Sequence, residues 1–434
     1  MKNKIIQFIK FLFSSNNKTS FFVNKQLDQI KKGGFPVLIN KAKIFLLLIV
    51  NIVIAIPFIP LILVIRALRP LILIRFKKLR SDRIGHLAYE PDIYLLERYV
   101  GLHDKKTVDF FYCDGPVSNQ QLKLMWSRRF PFFSKLVLPL DRTNRLLPGG
   151  YRHIVPFCET RHEDPLSLQD KYGPQLSFTP EEEKRGKEGL KSMGINHGAK
   201  FICFHSRDSA YLASKLPKSD YTYHDYRDSS IQNYVRAIES LHQKFYNSIR
   251  IGAIIKEAIT TTDSKIVDYA SSNHRSDFMD IYLVANCYFF LGTNSGPCAL
   301  ATIFRKPVAF ANVAPFHGLV AYRSLDIFIP KKYWSIKEQR FLTFDEILKS
   351  GAANYYESNM FTDAGLTPIE NTSEEIRELA IEMDDKLVGV WVQNTEDEML
   401  HKKYNEILVK NGVDPKLSPS ISTSFLRRNR SLLI

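Results

Sequence analysis

YFFLGTNSGPCALATIFRKPVAF, residues 288–310, contains the clearest folding signal in this chain. An apolar run ends in a Gly-Thr-Asn-Ser-Gly-Pro turn, small residues at helical spacing follow, and a second apolar run begins directly after Lys306 and Pro307. Short apolar runs that alternate with helices are typical of α/β folds, in which the strands are parallel. The stretch therefore predicts a strand, a helix and a second strand, with the polar turn at the carboxyl end of the first strand.

The composition of this turn predicts an anion-binding site. Gly292 permits a tight backbone, a polar residue after it can cap the helix, and Pro297 occupies a first-turn position where its missing N–H costs nothing. Free backbone amides and the helix dipole then point at one spot, which suits a diphosphate. The predicted diphosphate-binding residues of the turn are Thr293, Asn294, Ser295 and Gly296. The alternative is that these residues only cap the helix.

A second polar turn follows another predicted strand, in KFICFHSRD, residues 200–208. The guanidinium of Arg207 can contact a phosphate in a bidentate manner, and we assign Arg207 and His205 to the same diphosphate. The structural alternative is an ion pair between Arg207 and Asp208. Three further residues are candidates for support of this site, or for structural roles: Tyr226, Arg227 and Arg250.

The remaining chain also alternates between predicted strands and helices. TVDFFYCDG (107–115) and SKLVLPL (134–140) have the composition of strands, Ile84-Gly85-His86 that of a strand end and turn, and 93–100 the spacing of a helix. The predicted organisation has four parts: a basic region with a membrane anchor (1–80), a first Rossmann-like domain (81–196), a second Rossmann-like domain (197–350), and C-terminal helices that pack on or between the domains (351–434). Two of these helices are predicted to begin with capping boxes, Thr372 with Glu375 and Thr395 with Glu398.

Residues 44–65, IFLLLIVNIVIAIPFIPLILVI, form an uncharged apolar run of 22 residues. A helix of this length can cross a hydrocarbon core of about 30 Å, and no small-residue cleavage site follows it, so we expect a retained anchor. Pro57 and Pro60 must break or kink that helix. A single span and a re-entrant helix fit the sequence equally well, and a buried core helix is the third possibility.

The net charge and the cysteines indicate the expected binding partner and cellular location of this chain. The net charge of +15 favours an anionic partner. The basic residues cluster around the apolar run and no RNA- or DNA-binding motif occurs, so we expect a membrane surface rather than nucleic acid. The 5 cysteines have no C-x-x-C spacing, which indicates reduced core residues. We therefore place the globular part at the cytoplasmic face of the inner membrane.

Several segments together resemble a bacterial family of glycosyltransferases associated with surface-polysaccharide synthesis. They include RIGHLAYEPDIYL (83–95), HSRD (205–208), YRDSSIQNYVRAIESL (226–241), 266–301 and SFLRRN (424–429). The resemblance covers nearly everything after residue 80 and implies the GT-B arrangement, two Rossmann-like domains facing across a cleft, with the nucleotide-sugar held mainly by the second. The His-x-Arg turn is also similar to fucosyltransferases, which assigns Arg207 to the donor diphosphate.

The resemblance implies a nucleotide-sugar donor and a glycan or polyprenyl-diphosphate-linked acceptor. Glycosyl transfer adds charge to the leaving diphosphate and removes a proton from the acceptor hydroxyl. Arg207, His205 and the amides of the 293–296 turn are assigned to the leaving group, so that neither a metal nor a cofactor is expected. The expected general base is His86, from the first domain, with Glu90 or Asp92 behind it.

Two other functions remain compatible with the sequence. A non-hydrolysing nucleotide-sugar 2-epimerase shares the two-domain fold and a Ser-Gly phosphate turn, although such enzymes need no membrane anchor. A non-catalytic membrane-bound scaffold of polysaccharide assembly would retain the binding surfaces without the chemistry.

Overall fold

The computed structural model of this chain describes residues 34–35, 37, 39–43, 46, 49–50, 52–104, 106–156, 167–196, 198–215, 220–244, 246–319, 322–417 and 419–434. The chain divides into two compact units. The first unit contains Met1–Arg80, Gly101–Pro116 and Ser127–Phe157, and the second contains Ser81–Val100, Val117–Trp126 and Cys158–Ile434. Residues 81–100 and 117–126, which the sequence assigned to a first domain, thus belong to the unit that contains most of the C-terminal half. The division into acceptor and donor domains stays a prediction.

The numbered helices are α1 Ile59–Ala67, α2 Ile84–Tyr99, α3 Gln120–Ser127, α4 Ser134–Leu146, α5 Leu168–Lys171, α6 Pro180–Ser192, α7 Ala210–Lys215, α8 Gln232–His242, α9 Asp277–Asn286, α10 Gly296–Ile303, α11 Phe344–Lys349, α12 Ser358–Asp363, α13 Ser373–Val388, α14 Thr395–Lys410 and α15 Thr423–Arg428. The strands are β1 Leu73–Leu79, β2 Thr107–Cys113, β3 Phe201–His205, β4 Asn247–Arg250, β5 Ile266–Val267, β6 Phe290–Gly292, β7 Val308–Val313, β8 Ile327–Pro330, β9 Lys332–Ser335, β10 Arg340–Phe341, β11 Leu366–Ile369 and β12 Ser420–Ile421.

The second unit is built on a seven-stranded sheet with the order β12-β8-β7-β6-β3-β4-β5. Every neighbouring pair in it is parallel, which confirms the predicted α/β class. The central strands β3, β6 and β7 are buried almost throughout, as expected of strands covered on both faces. A smaller antiparallel sheet has the order β10-β9-β11.

The register of the large sheet brings the two polar turns together. His205, the last residue of β3, is opposite Gly292, the last residue of β6. Both turns therefore leave the same edge of the sheet from adjacent strands, as predicted from the alternation of strands and helices.

In the first unit, β1 and β2 form a parallel pair that runs from Leu73 opposite Thr107 to Leu79 opposite Cys113. The predicted strand at 107–115 is confirmed as β2. The strand predicted at 134–140 is wrong, because these residues form the first half of α4. Its buried residues Val137, Leu140 and Asn144 recur at helical spacing, and the apolar run was too short to show that period.

The turn predicted at Ile84-Gly85-His86 is also wrong, because Ile84 begins α2, which continues through Pro91 to Tyr99. The helix predicted at 93–100 is confirmed as the C-terminal half of α2, which begins nine residues earlier, at Ile84. Residues 87–94 are all buried, so tertiary packing rather than a one-sided apolar stripe defines this helix.

The predicted break in the apolar N-terminal run is confirmed. The described residues between 34 and 55 are helical, Ile56–Phe58 form a 3₁₀ turn that contains Pro57, and α1 then begins with Pro60 in its first turn. Among the described residues, no helix is both long enough and apolar enough to cross a bilayer. Several residues of the expected anchor (44–45, 47–48 and 51) lie outside the described residues, and the anchor stays a prediction.

One face of α1 belongs to the core of the first unit. Ile62 and Ile65 are buried in a cluster with Phe76, Tyr112 and Val137. The opposite side of α1 is exposed at Leu61, Leu63 and Val64. One side of α1 is therefore buried as expected of a core helix, the third possibility. The other side of α1 exposes apolar side chains to the surroundings.

Two smaller predictions concern helix starts and cysteines. Thr372 caps α13 in a capping box with Glu375, as predicted. The second box lies one residue before its predicted position, since Asn394 caps α14 with Asp397. The four described cysteines are buried and form no disulfide with one another, as expected of core residues: Cys113, Cys203, Cys287 and Cys298.

Candidate active site

The turns after β3 and β6 are hydrogen-bonded to each other. The backbone N–H of Thr293 donates to the carbonyl oxygen of His205 (3.3 Å), and the backbone N–H of Arg207 donates to Oγ1 of Thr293 (3.2 Å). Thr293 is fully buried. It joins the two turns and is not among the described residues that line the cavity beside them, and its predicted contact with a diphosphate stays a prediction.

Two helices begin side by side at this place. Ser295 precedes α10 and Arg83 precedes α2, and among the described residues neither helix start is capped by a side chain. A Cβ atom on Gly85 would lie 3.2 Å from Cα of Gly296, so the two helix starts touch through their glycines. The first N–H groups of a helix lack intrahelical partners and carry partial positive charge. Two such starts in contact favour one anion between them.

Both helix starts line a cavity of about 530 Å³ that lies within the second unit. Its volume is in the range of small-molecule sites, roughly 300–1,000 Å³. The charged and histidine side chains that line it are Arg83, His86, His205, Arg207, Asp208, His224, Arg227 and Asp280. Ser295, Gly296 and Asn294 line it as well. Most of the predicted site residues therefore meet in one cavity.

Arg207 is held in place by residues of a single loop. Its Nη1 donates to the carbonyl oxygen of His224 (3.1 Å) and forms an ion pair with Asp228. The predicted alternative partner, Asp208, instead accepts hydrogen bonds from the backbone N–H groups of Ala210 (2.9 Å) and Lys256 (3.0 Å). Burial lowers the pKa of Arg207 to about 10, so the guanidinium stays protonated at neutral pH.

Two more arginines contribute charge to the cavity. Arg227 donates from Nη2 to the carbonyl oxygen of Asn294, and its buried Nε has no hydrogen-bond partner in the described part of the chain. The guanidinium of Arg83 lies 5.4 Å from the ring centre of Tyr221, in a cation–π position. Arg227 was a predicted candidate. Arg83 was missed, although its place directly before the start of α2 is the signal that points to it.

His224, for which no sequence signal was found, lies beside this cluster of positive charge. Burial and the nearby guanidinium groups of Arg227, Arg207 and Arg83 lower its pKa to about 4. Its buried Nδ1 has no hydrogen-bond partner among the described residues. His224 and the three arginines all line the cavity, so their side chains surround one small volume.

His205 is also neutral at physiological pH. Its Nδ1 is 2.9 Å from the carbonyl oxygen of Ile251, and the hydrogen bond places the ring proton on that nitrogen. Burial lowers its pKa to about 4. The ring then offers a lone pair on Nε2 rather than positive charge. Its predicted contact with a diphosphate stays a prediction, but the arginines carry the charge.

The expected general base has a carboxylate partner. Nδ1 of His86 is 3.0 Å from Oε1 of Glu90, one turn further along α2. Glu90 is buried and His86 lines the cavity. The carboxylate accepts the Nδ1–H and leaves Nε2 as the proton acceptor, the arrangement that orients a histidine base.

The other acidic residue suggested for this role, Asp92, is engaged elsewhere. Its Oδ2 accepts from Nη1 of Arg305 (3.0 Å) and from Nε2 of Gln169 (2.8 Å). Asp92 is two residues beyond Glu90 on α2, which turns its side chain to another face of the helix. We therefore correct that suggestion and keep Glu90 as the partner of His86.

The remaining candidates divide between the cavity and the core. Tyr226 lines the cavity and packs its ring against Phe361 at 5.1 Å between ring centres. Arg250 is buried, donates to the carbonyl oxygen of Glu257 (2.7 Å) and lies 3.4 Å from Asp268. Arg250 is not among the described residues that line the cavity. Its position therefore fits the structural role that was the alternative for it. Asn294 donates from Nδ2 to the carbonyl oxygen of Gly318 (3.2 Å) and lines the cavity with its neighbours.

The described residues contain no candidate metal centre. In the part of the chain that the structure describes, no three His, Cys, Asp or Glu residues come together in a group that would hold a metal ion. Whether the activity needs a metal stays a prediction.

Comparisons with known proteins give low similarity. Neither a protein-family model nor a curated protein sequence matches the chain. Among solved structures, a glycosyl transferase family 9 protein from Veillonella parvula matches 55% of this chain and 80% of its own, with 11% identity and a TM-score of 0.35. The ADP-heptose LPS heptosyltransferase II of E. coli matches 54% of this chain and 83% of its own, with 10% identity and a TM-score of 0.29.

The iron-containing dodecameric glycosyltransferase TibC of enterotoxigenic E. coli is a third similar structure. It matches 55% of this chain and 57% of its own, with 11% identity and a TM-score of 0.28. At TM-scores this low, the similarity does not indicate the activity of the present chain.

Proposed function

We propose that this protein is a membrane-associated glycosyltransferase that moves a sugar from a nucleotide-diphosphate donor to a glycan or lipid-linked acceptor in surface-polysaccharide synthesis. The observation that carries the proposal is the meeting of Arg83, Arg207 and Arg227 with the starts of α2 and α10 in one cavity. Guanidinium groups and free helix amides are the groups that proteins use to bind phosphate oxygens.

The excess of positive charge in the cavity favours a diphosphate over a neutral ligand. Arg207 is paired with Asp228, but Arg227 donates to a backbone carbonyl and Arg83 stacks on an aromatic ring, so neither of these two contacts supplies a counter-charge. Bringing two or three cations together in a partly buried space costs free energy unless an anion joins them. A nucleoside diphosphate would supply that anion.

The same residues suit the chemistry of glycosyl transfer. As the bond between the sugar and the diphosphate breaks, negative charge accumulates on the leaving phosphate, where the arginines and the helix amides stabilise it. His86 accepts the proton of the acceptor hydroxyl at Nε2, while Glu90 holds the Nδ1–H and stabilises the cation that forms. This mechanism gives the arginines the role of stabilising the leaving group and therefore needs neither a metal nor a cofactor.

The GT-B arrangement belongs to the proposal as well. The seven-stranded parallel sheet has the architecture of one Rossmann-like nucleotide-binding domain, and the first unit contributes a parallel pair of strands. A second Rossmann-like domain, and a cleft between the two, are expected on the sequence resemblance.

We propose that the N-terminal apolar segment attaches the protein to the cytoplasmic face of the inner membrane. Exposed apolar side chains continue from the preceding helix into α1 and include Ile52, Val53, Leu61, Leu63 and Val64. Arg69 follows directly, where it can meet anionic headgroups, whereas the guanidinium of Arg66 donates to the side chain of Asn144 and to the carbonyl oxygen of Pro148. A lipid-diphosphate-linked acceptor would be available at this surface.

Vesicle flotation tests the membrane part of the proposal. The full-length chain with Leu61→Gln and Leu63→Gln should float less with vesicles of phosphatidylethanolamine and phosphatidylglycerol than the wild type, because the apolar area available to lipid is smaller. Val409→Gln, which replaces an exposed valine on α14, is the matched control and should float like the wild type. Equal flotation of all three proteins would contradict attachment through this surface.

A donor screen tests the enzymatic part. UDP, GDP, ADP, CDP and their hexose esters are added to the full-length chain, and a nucleotide that binds should raise Tm by an amount that grows with its concentration. Arg207→Ala and the milder Arg207→Lys should abolish or reduce that shift. Arg236→Ala, which removes an exposed arginine paired with Glu374, should keep it.

Product analysis then separates the three candidate functions. Incubation of the best donor with membrane lipids should transfer the labelled sugar to lipid or glycan. Conversion of the free nucleotide-sugar without transfer would indicate the 2-epimerase, and binding with neither reaction would indicate the scaffold. The proposed function is wrong if no nucleoside diphosphate shifts Tm.

A further inference from the structure

The cavity has a second group of polar side chains that the proposed mechanism does not use. Asp280 on α9, Tyr211 on α7 and Ser118 in the loop before α3 all line it. Asp280 is only 6% exposed, which is unusual for a carboxylate unless a partner or a ligand compensates for its burial. These three residues define what we call the acidic side of the cavity.

The electrostatic surroundings of the acidic side differ from those of the arginine cluster, which consists of Arg83, Arg207 and Arg227. Burial raises the pKa of the Tyr211 hydroxyl, Arg275 opposes this shift, and the carboxylates of Asp82, Asp277 and Asp280 reinforce it. The charges that act on His224 are instead the guanidinium groups of the arginine cluster. Asp280 is thus the carboxylate that the acidic side presents to the cavity, and three arginines, Arg83, Arg207 and Arg227, line the same cavity.

Asp280 has acceptor capacity left over. Its Oδ1 accepts a hydrogen bond from the hydroxyl of Tyr269 (2.8 Å), and its Oδ2 accepts one from Nη2 of Arg275 (3.0 Å). A carboxylate offers about four lone-pair positions, so these two bonds use only part of them. Arg275 also lies 3.6 Å from Asp277, so one guanidinium is shared between two carboxylates and the local charge remains negative.

Ser118 adds a second, independent observation. Its Oγ is buried and has no hydrogen-bond partner among the described residues. The loop that carries it is fixed against α9, because Asn119 donates from Nδ2 to the carbonyl oxygen of Asp277 (2.9 Å) and the N–H of Gln120 donates to its carboxylate (2.7 Å). Ser118 is therefore held in place, with a buried hydroxyl that has no protein partner. Buried polar groups usually have one, and a ligand can provide it.

We propose that Asp280, Ser118 and Tyr211 bind the hydroxyl groups of the donor's sugar and so select the sugar. This inference rests on the proposed function and adds the sugar-binding subsite to it. Carboxylates repel phosphate, so the diphosphate lies on the arginine side and the uncharged sugar takes the carboxylate side. Sugar hydroxyls are donors, and an ionised carboxylate is the strongest acceptor that a protein can offer them.

Burial raises the pKa of Asp280 to about 6, which leaves it ionised and an acceptor at pH 7.5. The amide of an Asp280→Asn variant has nearly the same shape but accepts through one oxygen only. The substitution should therefore weaken contacts with the sugar and leave contacts with the diphosphate in place. That difference distinguishes a sugar-binding residue from one that only supports the fold.

Titration calorimetry at pH 7.5 on the full-length chain tests the subsite. The ligands are three pairs: UDP with UDP-glucose, GDP with GDP-mannose, and ADP with ADP-glucose. In Asp280→Asn, the Kd of the nucleotide-sugar that binds the wild type should rise about tenfold, the usual order for a lost hydrogen bond to a charged group, while the Kd of its nucleoside diphosphate should change less than about twofold. Asp363→Asn, which replaces an exposed carboxylate at the end of α12 and outside the described cavity lining, should change neither Kd.

Three outcomes decide the matter. Equal effects of Asp280→Asn on a nucleoside diphosphate and on its sugar ester, or no effect on any pair, would overturn the sugar-binding subsite while leaving the proposed function standing. If Asp280→Asn does not fold, Ser118→Ala and Tyr211→Phe are measured in the same way and decide the question by the same criterion. If no nucleoside diphosphate binds the wild type, the proposed function is overturned, and this inference with it.

Discussion

Gly85 and Gly296 meet where two helices begin, and a methyl group on Gly296 would lie 2.6 Å from Cγ2 of Ile84 and 3.2 Å from the backbone nitrogen of Gly85. The contact brings the N-termini of α2 and α10 within reach of one ligand. Neither glycine has a positive φ, so the requirement for glycine comes from space rather than from backbone conformation.

Gly296→Ala should therefore push the two helix starts apart. We expect a loss of about 1–3 kcal/mol in the free energy of unfolding, the usual cost of overpacking, together with weaker binding of nucleoside diphosphates. Urea unfolding and calorimetry measure the two effects. Gly173→Ala is the control, because a Cβ at that position would meet no atom within 4 Å. Unchanged nucleotide affinity in Gly296→Ala would show that the anion does not use this junction.

Arg83→Ala tests the arginine that the sequence did not reveal. Loss of one charged contact with the diphosphate should raise Kd about tenfold. The pKa of His224 should also rise toward its ordinary value, because one of the positive charges that lower it is removed. Calorimetry and NMR titration of the histidine measure these changes. Arg185→Ala removes a similar stacked arginine, 4.4 Å from the ring centre of Phe278 and outside the described cavity lining, and should have neither effect.

The contact between His86 and Glu90 predicts that substitutions at these residues change kcat more than they change the KM for the donor. His86→Asn should lower kcat by a factor of about 10²–10⁴ with little change in donor KM, because a general base acts mainly in the transition state. Glu90→Gln should lower kcat less and should alter its pH profile, since the carboxylate acts through the histidine. Glu97→Gln, further along α2, serves as the control. A rise in KM without a fall in kcat would assign the pair to binding instead.

His205 predicts a dependence of stability on pH. Its pKa is about 4 in the folded protein and about 6.5 in an unfolded chain, so below pH 6.5 the unfolded state binds the extra proton. Its contribution to stability is full above pH 6.5 and is lost as the pH falls toward 4. At pH 5 the loss amounts to about 2 kcal/mol.

Urea unfolding of the wild type and of His205→Gln at pH 7.5 and pH 5 measures this contribution. The free energy of unfolding should fall less in the variant than in the wild type, by about 2 kcal/mol. The comparison between the two proteins is needed because Asp280, whose pKa is raised to about 6, changes stability in the opposite direction over the same pH range. Equal losses in both proteins would contradict a neutral His205.

The sequence predicted the elements that depend on local signals. The turn at 292–297 lies between β6 and α10 as expected, Pro57 interrupts the apolar helix, and Thr372 caps α13. Each of these depends on residues within a few positions of one another, so composition and spacing are sufficient to identify it. The membership of Asn294, Ser295 and Arg207 in one cavity also followed from such signals, because parallel strands end at the same edge of a sheet.

The failures have a common physical cause. Residues 134–140 form a helix because their neighbours bury one face, and residues 84–92 extend α2 although a glycine and a proline interrupt the pattern. The carboxylate of Asp92 accepts a hydrogen bond from Arg305, which is 213 positions away in the sequence. Tertiary packing and long-range ion pairs override local preference, and a single sequence does not reveal the partners.

By itself, the sequence determined the α/β class, the parallel arrangement of the polar turns and the types of side chain that could bind an anion, because these follow from backbone geometry and from chemistry that acts over a few residues. Only the tertiary structure decided that Arg83 and His224 join Arg207, that Arg250 remains in the core, and that Asp280 faces the same cavity. The reason is that a binding site consists of contacts between residues far apart in the chain, and their distances are fixed by packing rather than by sequence spacing.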